Sequence, residues 1–161
     1  MSFKTQRLSL RRLASEDHAS FHRLVTDSHI RRFLLDGVVM DEEWSRSEIA
    51  RSDELFKSTG LGLWLACDQD ELVGFAGFRV FEEMSPEPQL IYAFEERVTG
   101  RGYATEVGQA LIELAAPILG SILAAVDEPN LASVRVLEKL GFRPAGSLPG
   151  TFGRTLLFRN G

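Results

Sequence analysis

Three strand-like segments in succession, followed by one helix and one more strand, constrain the fold of this chain most strongly. Apolar residues dominate the strand-like segments, whereas the helical segment repeats them every three to four positions. The five segments cover residues 61–67, 71–81, 89–94, 102–119 and 121–126. Strands joined by short turns pair antiparallel, and a strand–helix–strand crossover places its two strands side by side in parallel. The pattern predicts an α+β fold with a mixed, mostly antiparallel central sheet, one βαβ unit and helices packed on the sheet.

The flanking segments supply the other elements of a single domain. Alternating leucines predict a strand over residues 6–13, and acidic residues directly after Ser15 and Asp41 mark helix starts. The expected helices span residues 15–25, 28–35, 41–56 and 130–140, and a last strand spans residues 152–159. With 161 residues and no repeats, the chain is predicted to form one domain over residues 1–161.

Charge and hydropathy disfavour several classes of protein. The chain has 18 basic and 23 acidic side chains, a net charge of −5, and no basic arm, so nucleic-acid binding is disfavoured. No apolar run approaches the ~18 residues that span a bilayer, so no membrane association is expected. Residues 1–5 lack an apolar signal core, and Cys67 is the one cysteine, so no internal disulfide forms. We expect a cytoplasmic protein that is a monomer or a homodimer.

The segment between the third strand and the following helix is typical of a phosphate site. Gly100 and Gly102 permit a tight turn, and the helix that begins near Gly102 presents unpaired N–H groups to an anion. Arg97 and Arg101 add positive charge. The segment lacks the Gly-Lys-Ser/Thr ending of a P-loop, and Thr105 stands where a dinucleotide-binding fingerprint has a third glycine or alanine. Taken alone, the segment is equally compatible with a plain glycine-rich turn.

Two motifs resemble those of the GNAT N-acetyltransferases. Arg97, Gly100 and Gly102 match the Arg-x-x-Gly-x-Gly pyrophosphate loop of that family. Residues 130–142, Asn-Leu-Ala-Ser-Val-Arg-Val-Leu-Glu-Lys-Leu-Gly-Phe, look like its second motif, in the form found in RimJ/RimL-type enzymes that acetylate protein N-termini. Residues 5–11 resemble the opening strand of the same branch. The resemblance covers almost the whole chain in the family's order of elements.

The resemblance implies the GNAT fold and acetyl-coenzyme A as co-substrate, with no metal. In this family helices cover both faces of the sheet, and two parallel strands, here residues 89–94 and 121–126, splay apart so that acetyl-CoA enters the gap. The acetyl group passes directly from the thioester to an amine, without a covalent acyl-enzyme. The residues expected to bind the co-substrate are Phe94, Glu95, Glu96, Arg97, Val98, Gly100, Arg101, Gly102, Tyr103, Ala104, Thr105, Asn130 and Ser133.

The resemblance also implies how the reaction is assisted. Many family members have a tyrosine as the acid that protonates the leaving thiolate, and this chain has Leu137 at that position. Ser133 is the expected replacement, acting directly or through water. The backbone amide of Phe94 or Glu95, freed where the strands part, is expected to stabilise the charge that develops on the carbonyl oxygen.

The base that deprotonates the amine is not assigned by the resemblance. Family members often have a glutamate on the strand before the pyrophosphate loop, but here Gln89 occupies that position and its amide cannot act as a base. Bulk water, Glu82, Glu83 and Tyr92 remain the alternatives, and we take Glu83 as the candidate catalytic side chain.

The acceptor is expected to be a primary amine. The resemblance favours a protein N-terminus, with a small amine such as a polyamine or an aminoglycoside-like compound as the second choice. Residues 81–96 carry five acids and no base, which forms either a solvated loop or an acidic rim that attracts an amine. Three aromatic residues of the early helices are expected in the core, with one of them as a candidate for lining the acceptor pocket: Phe33, Trp44 and Phe56.

Two further functions remain as alternatives. A catalytically silent acyl-CoA-binding module is compatible with Gln89 and Leu137. A nicotinamide-dependent enzyme is disfavoured by Thr105 and by the succession of hairpins. His18 and His22 have the spacing of metal ligands on one helix face, but no third ligand accompanies them, so a solvated helix face is expected.

Overall fold

Eight strands and five α-helices make up the structure, a computed structural model that describes residues 2–161 and, for Phe33, the backbone alone. The prediction for the Phe33 side chain therefore lies outside the described part. The helices are α1 (His18–Thr26), α2 (Ser28–Leu34), α3 (Glu42–Thr59), α4 (Tyr103–Leu119) and α5 (Leu131–Lys139). The strands are β1 (Ser2–Lys4), β2 (Leu8–Arg12), β3 (Leu63–Asp68), β4 (Glu71–Val80), β5 (Pro88–Phe94), β6 (Ile122–Asp127), β7 (Arg143–Gly150) and β8 (Gly153–Asn160).

All eight strands belong to one sheet, in the order β1-β2-β3-β4-β5-β6-β8-β7. Every neighbouring pair is antiparallel except β5 and β6, which run parallel on either side of the crossover through α4. The predicted βαβ unit is therefore confirmed. Within residues 2–161, β5 and β6 are in register at one pair, Gln89 opposite Leu123, close to the start of both strands. Beyond that pair the two strands diverge toward their carboxyl ends.

Side chains of the sheet alternate between two apolar layers, one on each face. In β3, Trp64 lies in the layer that contains Leu111 of α4, whereas the next residue, Leu65, lies in the layer that contains Phe21 of α1. This alternation is the period of two that an extended strand imposes on its side chains. Helices therefore cover both faces, as the family resemblance implied, with α4 and α5 on one face and α1 and α2 on the other.

Two strands of the sheet are not in the sequence prediction, β1 and β7. β1 has three residues and one apolar side chain, so it shows no periodicity. β7 contains two prolines, Pro144 and Pro149, and two glycines, which normally argue against a strand. Both strands lie at the edges of the sheet. An edge strand has a neighbour on one side only, so a proline, which has no N–H, can stand where no neighbouring strand needs a hydrogen bond.

None of the helices within residues 2–161 combines the length and the hydropathy that crossing a bilayer requires.

A buried ion pair holds α3 against β4, and we expect its loss to destabilise the fold. Glu48, 3% exposed, accepts two hydrogen bonds from the Arg79 guanidinium at 2.7 and 2.8 Å. Truncating Glu48 to alanine should lower the free energy of unfolding by about 3 kcal/mol, because the guanidinium then remains largely buried without a counter-charge. Denaturant unfolding measures this. Glu54→Ala on the same helix removes an exposed ion pair with Lys57 and should change the free energy of unfolding by less than about 0.5 kcal/mol.

Candidate active site

A cleft of about 1130 Å³ opens where β5 and β6 diverge. Residues 89–94 of β5 and 124–127 of β6 form its walls, and Gln89 lies where the strands still touch. One side of the cleft is closed by residues 98–105 and by α5, and the other by α2, the β4–β5 loop and the β7–β8 hairpin. The cleft is thus bounded by elements from both faces of the sheet, so two ligands can enter it from opposite faces.

The loop before α4 presents unpaired backbone amides to this cleft. Gly100 and Gly102 have φ values of +79° and +83°, the left-handed region that favours glycine. A Cβ at Gly100 would meet nothing within 4 Å, and one at Gly102 would lie 3.5 Å from a guanidinium nitrogen of Arg7. Across residues 2–161, no acceptor contacts the amides of residues 100–105, which precede or begin α4. This backbone has the geometry of an anion site at a helix N-terminus.

Most of the side chains and glycines expected at the site line the cleft. They come from the end of β5, the loop, the first turn of α4, the start of α5 and the β4–β5 loop. They are Phe94, Val98, Gly100, Arg101, Gly102, Tyr103, Ala104, Thr105, Asn130, Ser133 and Glu83.

Three expected co-substrate ligands, Glu95, Glu96 and Arg97, do not line the cleft. The Arg97 guanidinium lies 2.7 Å from a Glu71 carboxylate oxygen and 2.8 Å from one of Glu95, and it also donates to the Leu72 carbonyl. Glu96 pairs with His29 at 3.4 Å. The expectation that the Arg97 side chain supplies charge to the phosphate site is therefore wrong: its charge is used within the fold, where it ties the end of β5 to β4.

The two candidate oxyanion donors point in different directions. The Glu95 amide donates to the Val73 carbonyl of β4 at 2.9 Å, so it is not free, and that part of the prediction is wrong. Successive amides of a strand point to opposite sides. The Phe94 amide therefore points away from β4, toward the cleft between β5 and β6, and it remains the one candidate of the two.

Asn130, Ser133 and Tyr92 form a connected group at the start of α5. Asn130 Oδ1 accepts from the Ser133 amide at 3.3 Å, which caps the helix, and Ser133 Oγ lies 2.7 Å from the Tyr92 hydroxyl. Burial raises the pKa of Tyr92 to about 12, with the hydrogen bond to Ser133 as a smaller opposing effect. Tyr92 is therefore protonated at neutral pH. This protonation state disfavours Tyr92 among the candidate bases and is compatible with the pair donating a proton.

The other candidate bases differ in position. Glu83 lines the cleft, whereas Glu82 does not and lies 3.8 Å from Arg51. Gln89 is 1% exposed, and its amide nitrogen lies 3.9 Å from the sulfur of Met84. In the acidic rim expected over residues 81–96, arginines pair with three of the five carboxylates, those of Glu82, Glu87 and Glu95. The carboxylate of Glu96 lies 3.4 Å from a ring nitrogen of His29.

The charges that line the cleft are separated by sign. The cationic side chains lie on the loop before α4 and on α5: Arg101, Arg135 and Lys139. The anionic side chains lie on the α2–α3 loop, the β4–β5 loop and the end of β6: Asp36, Glu83 and Asp127. One end of the cleft therefore favours an anion and the other end favours a cation.

The histidine pair contacts α3, and Trp44 and Phe56 pack against the apolar layers. The rings of His18 and His22 stack with centroids 5.9 Å apart, and the side chains contact the Glu42 carbonyl and the Ser45 hydroxyl of the α3 segment rather than forming a solvated face. No group of three or more metal-ligating side chains occurs in the described chain. Neither Trp44 nor Phe56 lines the cleft.

Two cleft residues carry more chemistry than the sequence indicated. Tyr92 lies inside an apolar strand, and its partner Ser133 is 41 residues away, so no motif joins them. Asp127 is the last residue of β6. The sequence could have pointed to Asp127, because it stands at the carboxyl end of a strand that is predicted to run parallel to its neighbour. Ligands bind at that end of parallel strands.

Comparisons with known proteins identify the family. Residues 7–143 match the acetyltransferase (GNAT) domain model. The chain is 25% identical over 149 residues to the uncharacterized N-acetyltransferase YnaD of Bacillus subtilis, covering 91% of this chain and 85% of that protein. The structure superposes on an Agrobacterium tumefaciens acetyltransferase with a TM-score of 0.83, at 23% identity over 100% of this chain and 94% of the other.

The fold is also that of a RimL enzyme. The structure of RimL, a ribosomal L7/L12 α-N-protein acetyltransferase in complex with coenzyme A, superposes with a TM-score of 0.83 at 18% identity, covering 99% of this chain and 97% of that chain. The domain match covers most of the chain and contains both the glycine loop and the start of α5. The chain belongs to the GNAT family of acetyltransferases, as its two motifs predicted.

Proposed function

We propose that this enzyme moves an acetyl group from acetyl-CoA to a primary amine, with a protein N-terminus as the acceptor. The observation that carries the proposal is the polarity of the cleft between β5 and β6. Among the described residues, amides without an acceptor and cationic side chains lie at one end, and carboxylates that form no ion pair lie at the other. A phosphate-bearing donor and an ammonium-bearing acceptor are complementary to these two ends.

The residues present fit acetyl-CoA. The left-handed backbone at Gly100 and Gly102 leaves the loop bare of side chains, so the amides of residues 100–105 would hold its pyrophosphate, with Arg101 beside them. The free side of β5 would face its pantetheine arm. When bound, acetyl-CoA supplies the acetyl group in activated form, as a thioester.

Three groups of this chain would assist the transfer. The Phe94 amide would donate to the carbonyl oxygen, where negative charge develops. The Tyr92–Ser133 pair, joined by a 2.7 Å hydrogen bond, would deliver a proton to the leaving sulfur. Tyr92 suits this role because its hydroxyl is protonated at neutral pH and lies 2.7 Å from Ser133 Oγ.

A protein N-terminus is the acceptor that the fold likeness favours, because RimL is an α-N-protein acetyltransferase. The surroundings of the cleft also suit a chain terminus. Asp36 lines the cleft, and the exposed Val38 and Val39 follow it in the chain. The exposed Phe152 follows Thr151, which lines the cleft, at the tip of the β7–β8 hairpin. A small polyamine or antibiotic-like amine is the alternative acceptor, and activity measurements with both kinds of amine distinguish the two.

Ligand binding and thiol release test the proposal in sequence. Acetyl-CoA at about a hundred times its Kd should raise Tm by about 5 to 10 °C, whereas NAD should leave Tm unchanged. Thiol release should then be measured with hexapeptides of varied N-terminal residue, their N-acetylated forms, spermidine and kanamycin. We expect release with free peptides alone. Thiol release with the small amines alone would mean that the acceptor is a small amine and not a protein N-terminus. Binding of acetyl-CoA without thiol release would indicate a silent acyl-CoA-binding module. A Tm raised by NAD alone would contradict the proposal.

A further inference from the structure

Asp127 faces the side of the sheet opposite to the Tyr92–Ser133 pair. Ile122, Ala124 and Val126 of β6 belong to the apolar layer under α4 and α5. Because strand side chains alternate, Asp127 points to the other face, the one covered by α1 and α2. Ser133 is on α5, and the glycine loop leads into α4, so the donor site and the proton-donating pair belong to the first face. The acceptor must enter from the second, where Asp127 lines the cleft.

One oxygen of the half-buried Asp127 carboxylate has no hydrogen-bond partner among the described residues. This oxygen, Oδ2, is shielded from solvent. Burial raises the pKa of Asp127, the negative charge of Asp36 raises it further, and a hydrogen bond from Thr155 partly opposes both effects. A charged oxygen that is desolvated and unpaired costs free energy, and proteins retain such groups mainly at functional sites.

Among the described residues, no Lys or Arg side chain forms an ion pair with this carboxylate. No ion pair to Asp127 or Asp36 occurs within residues 2–161, and the cations of the cleft lie on the loop before α4 and on α5. The other titratable groups that line the acceptor side are His29 of α2, which is paired with Glu96, and Glu83 of the β4–β5 loop. A cationic ligand can therefore supply the positive charge that would balance the carboxylates at this end of the cleft.

We propose that Asp127 binds the ammonium group of the acceptor and takes one of its protons, with Asp36 as the supporting carboxylate; this assignment rests on the proposed function. The N–H electron pair stays on nitrogen, and the proton passes to Asp127 and then to solvent. The neutral nitrogen bonds to the acyl carbon as the carbon–sulfur bond breaks. Nitrogen loses its second proton while the sulfur gains one, so each turnover releases one proton. Asp127 thus fills the role left open by Gln89.

Asp127→Asn tests this assignment through the pH dependence of transfer to the best peptide of the panel. At pH 7 most α-amino groups are protonated, since their pKa is about 7.7 to 8.0, and kcat of the variant should fall at least about tenfold. At pH 9 most α-amino groups are neutral and need no base, so the ratio of the wild-type kcat to the variant kcat should shrink to about twofold. With unreactive CoA in place of acetyl-CoA, calorimetry should show that the variant binds the peptide at least about fivefold more weakly.

The matched control is Glu128→Gln, which removes the same charge from the next residue. Glu128 is exposed and does not line the cleft, so kcat and peptide affinity should stay within about twofold. The Asp127→Asn variant should bind acetyl-CoA as wild type does, and its Tm at pH 7 should be at or above wild type, because the substitution removes a desolvated charge. Full activity of the variant at pH 7, or a constant deficit up to pH 9, would overturn the assignment alone. A wild type that binds acetyl-CoA but acetylates no amine would overturn the proposed function with it.

Discussion

Replacing Gly102 by valine is expected to weaken acetyl-CoA binding at least about a hundredfold, a loss of about 2.7 kcal/mol of binding free energy. Gly102 precedes the first residue of α4 at φ +83°, and its α-carbon borders the unpaired amides of the loop. A branched side chain there would occupy the space that the pyrophosphate needs and would push the loop toward negative φ. Isothermal calorimetry with acetyl-CoA measures the effect.

Gly60→Val separates crowding of the ligand from backbone strain. Gly60 has nearly the same conformation, φ 81° and ψ 3° against φ 83° and ψ 11° for Gly102. It follows α3, does not line the cleft, and a Cβ there would meet nothing within 4 Å. Both variants should lose about 1 to 3 kcal/mol of stability, while only Gly102→Val loses affinity. Wild-type affinity in a folded Gly102→Val variant would mean that the loop does not hold the co-substrate.

The order of elements followed from the sequence because short-range patterns determine it. The short turn between the segments at 61–67 and 71–81 and the periodic helix at 102–119 each depend on residues close together in the chain, and the structure contains both. The crossover between β5 and β6 also needed only local information, since a helix between two strands of one sheet makes them parallel.

What the sequence did not indicate depends on contacts between distant segments. A guanidinium in a glycine-rich loop resembles a phosphate ligand, but Arg97 lies within reach of Glu71 only because β4 and β5 are neighbours. Whether the Glu95 amide is free likewise depends on the register of the same two strands. The sequence places Asp127 directly after a predicted strand, but the lack of a hydrogen-bond partner for its Oδ2 among the described residues becomes visible only once the surrounding chain is in place.

Removing the hydroxyl of Ser133 is expected to lower kcat about a hundredfold and to leave acetyl-CoA affinity within about threefold, because in the proposed mechanism the group would act on the leaving sulfur rather than in ground-state binding. Tyr92→Phe should have an effect of similar size, since the proton relay needs both hydroxyls of the 2.7 Å pair. Ser133→Thr keeps a hydroxyl at the start of α5 and should recover most of the rate. Thiol release in a single turnover, with enzyme in excess over acetyl-CoA and with saturating peptide, measures the chemical step.

The double variant distinguishes a relay from two independent contributions. If the Tyr92 proton reaches the sulfur through Ser133, removing the second hydroxyl costs little once the first is absent, so Ser133→Ala with Tyr92→Phe should be about as slow as either single variant. Independent contributions would instead multiply to about a ten-thousandfold loss. The pKa of about 12 for Tyr92 adds a further expectation: wild-type kcat should not fall on the alkaline side of its pH profile up to at least pH 10, because this donor stays protonated there. Wild-type kcat in the double variant would assign protonation of the sulfur to solvent.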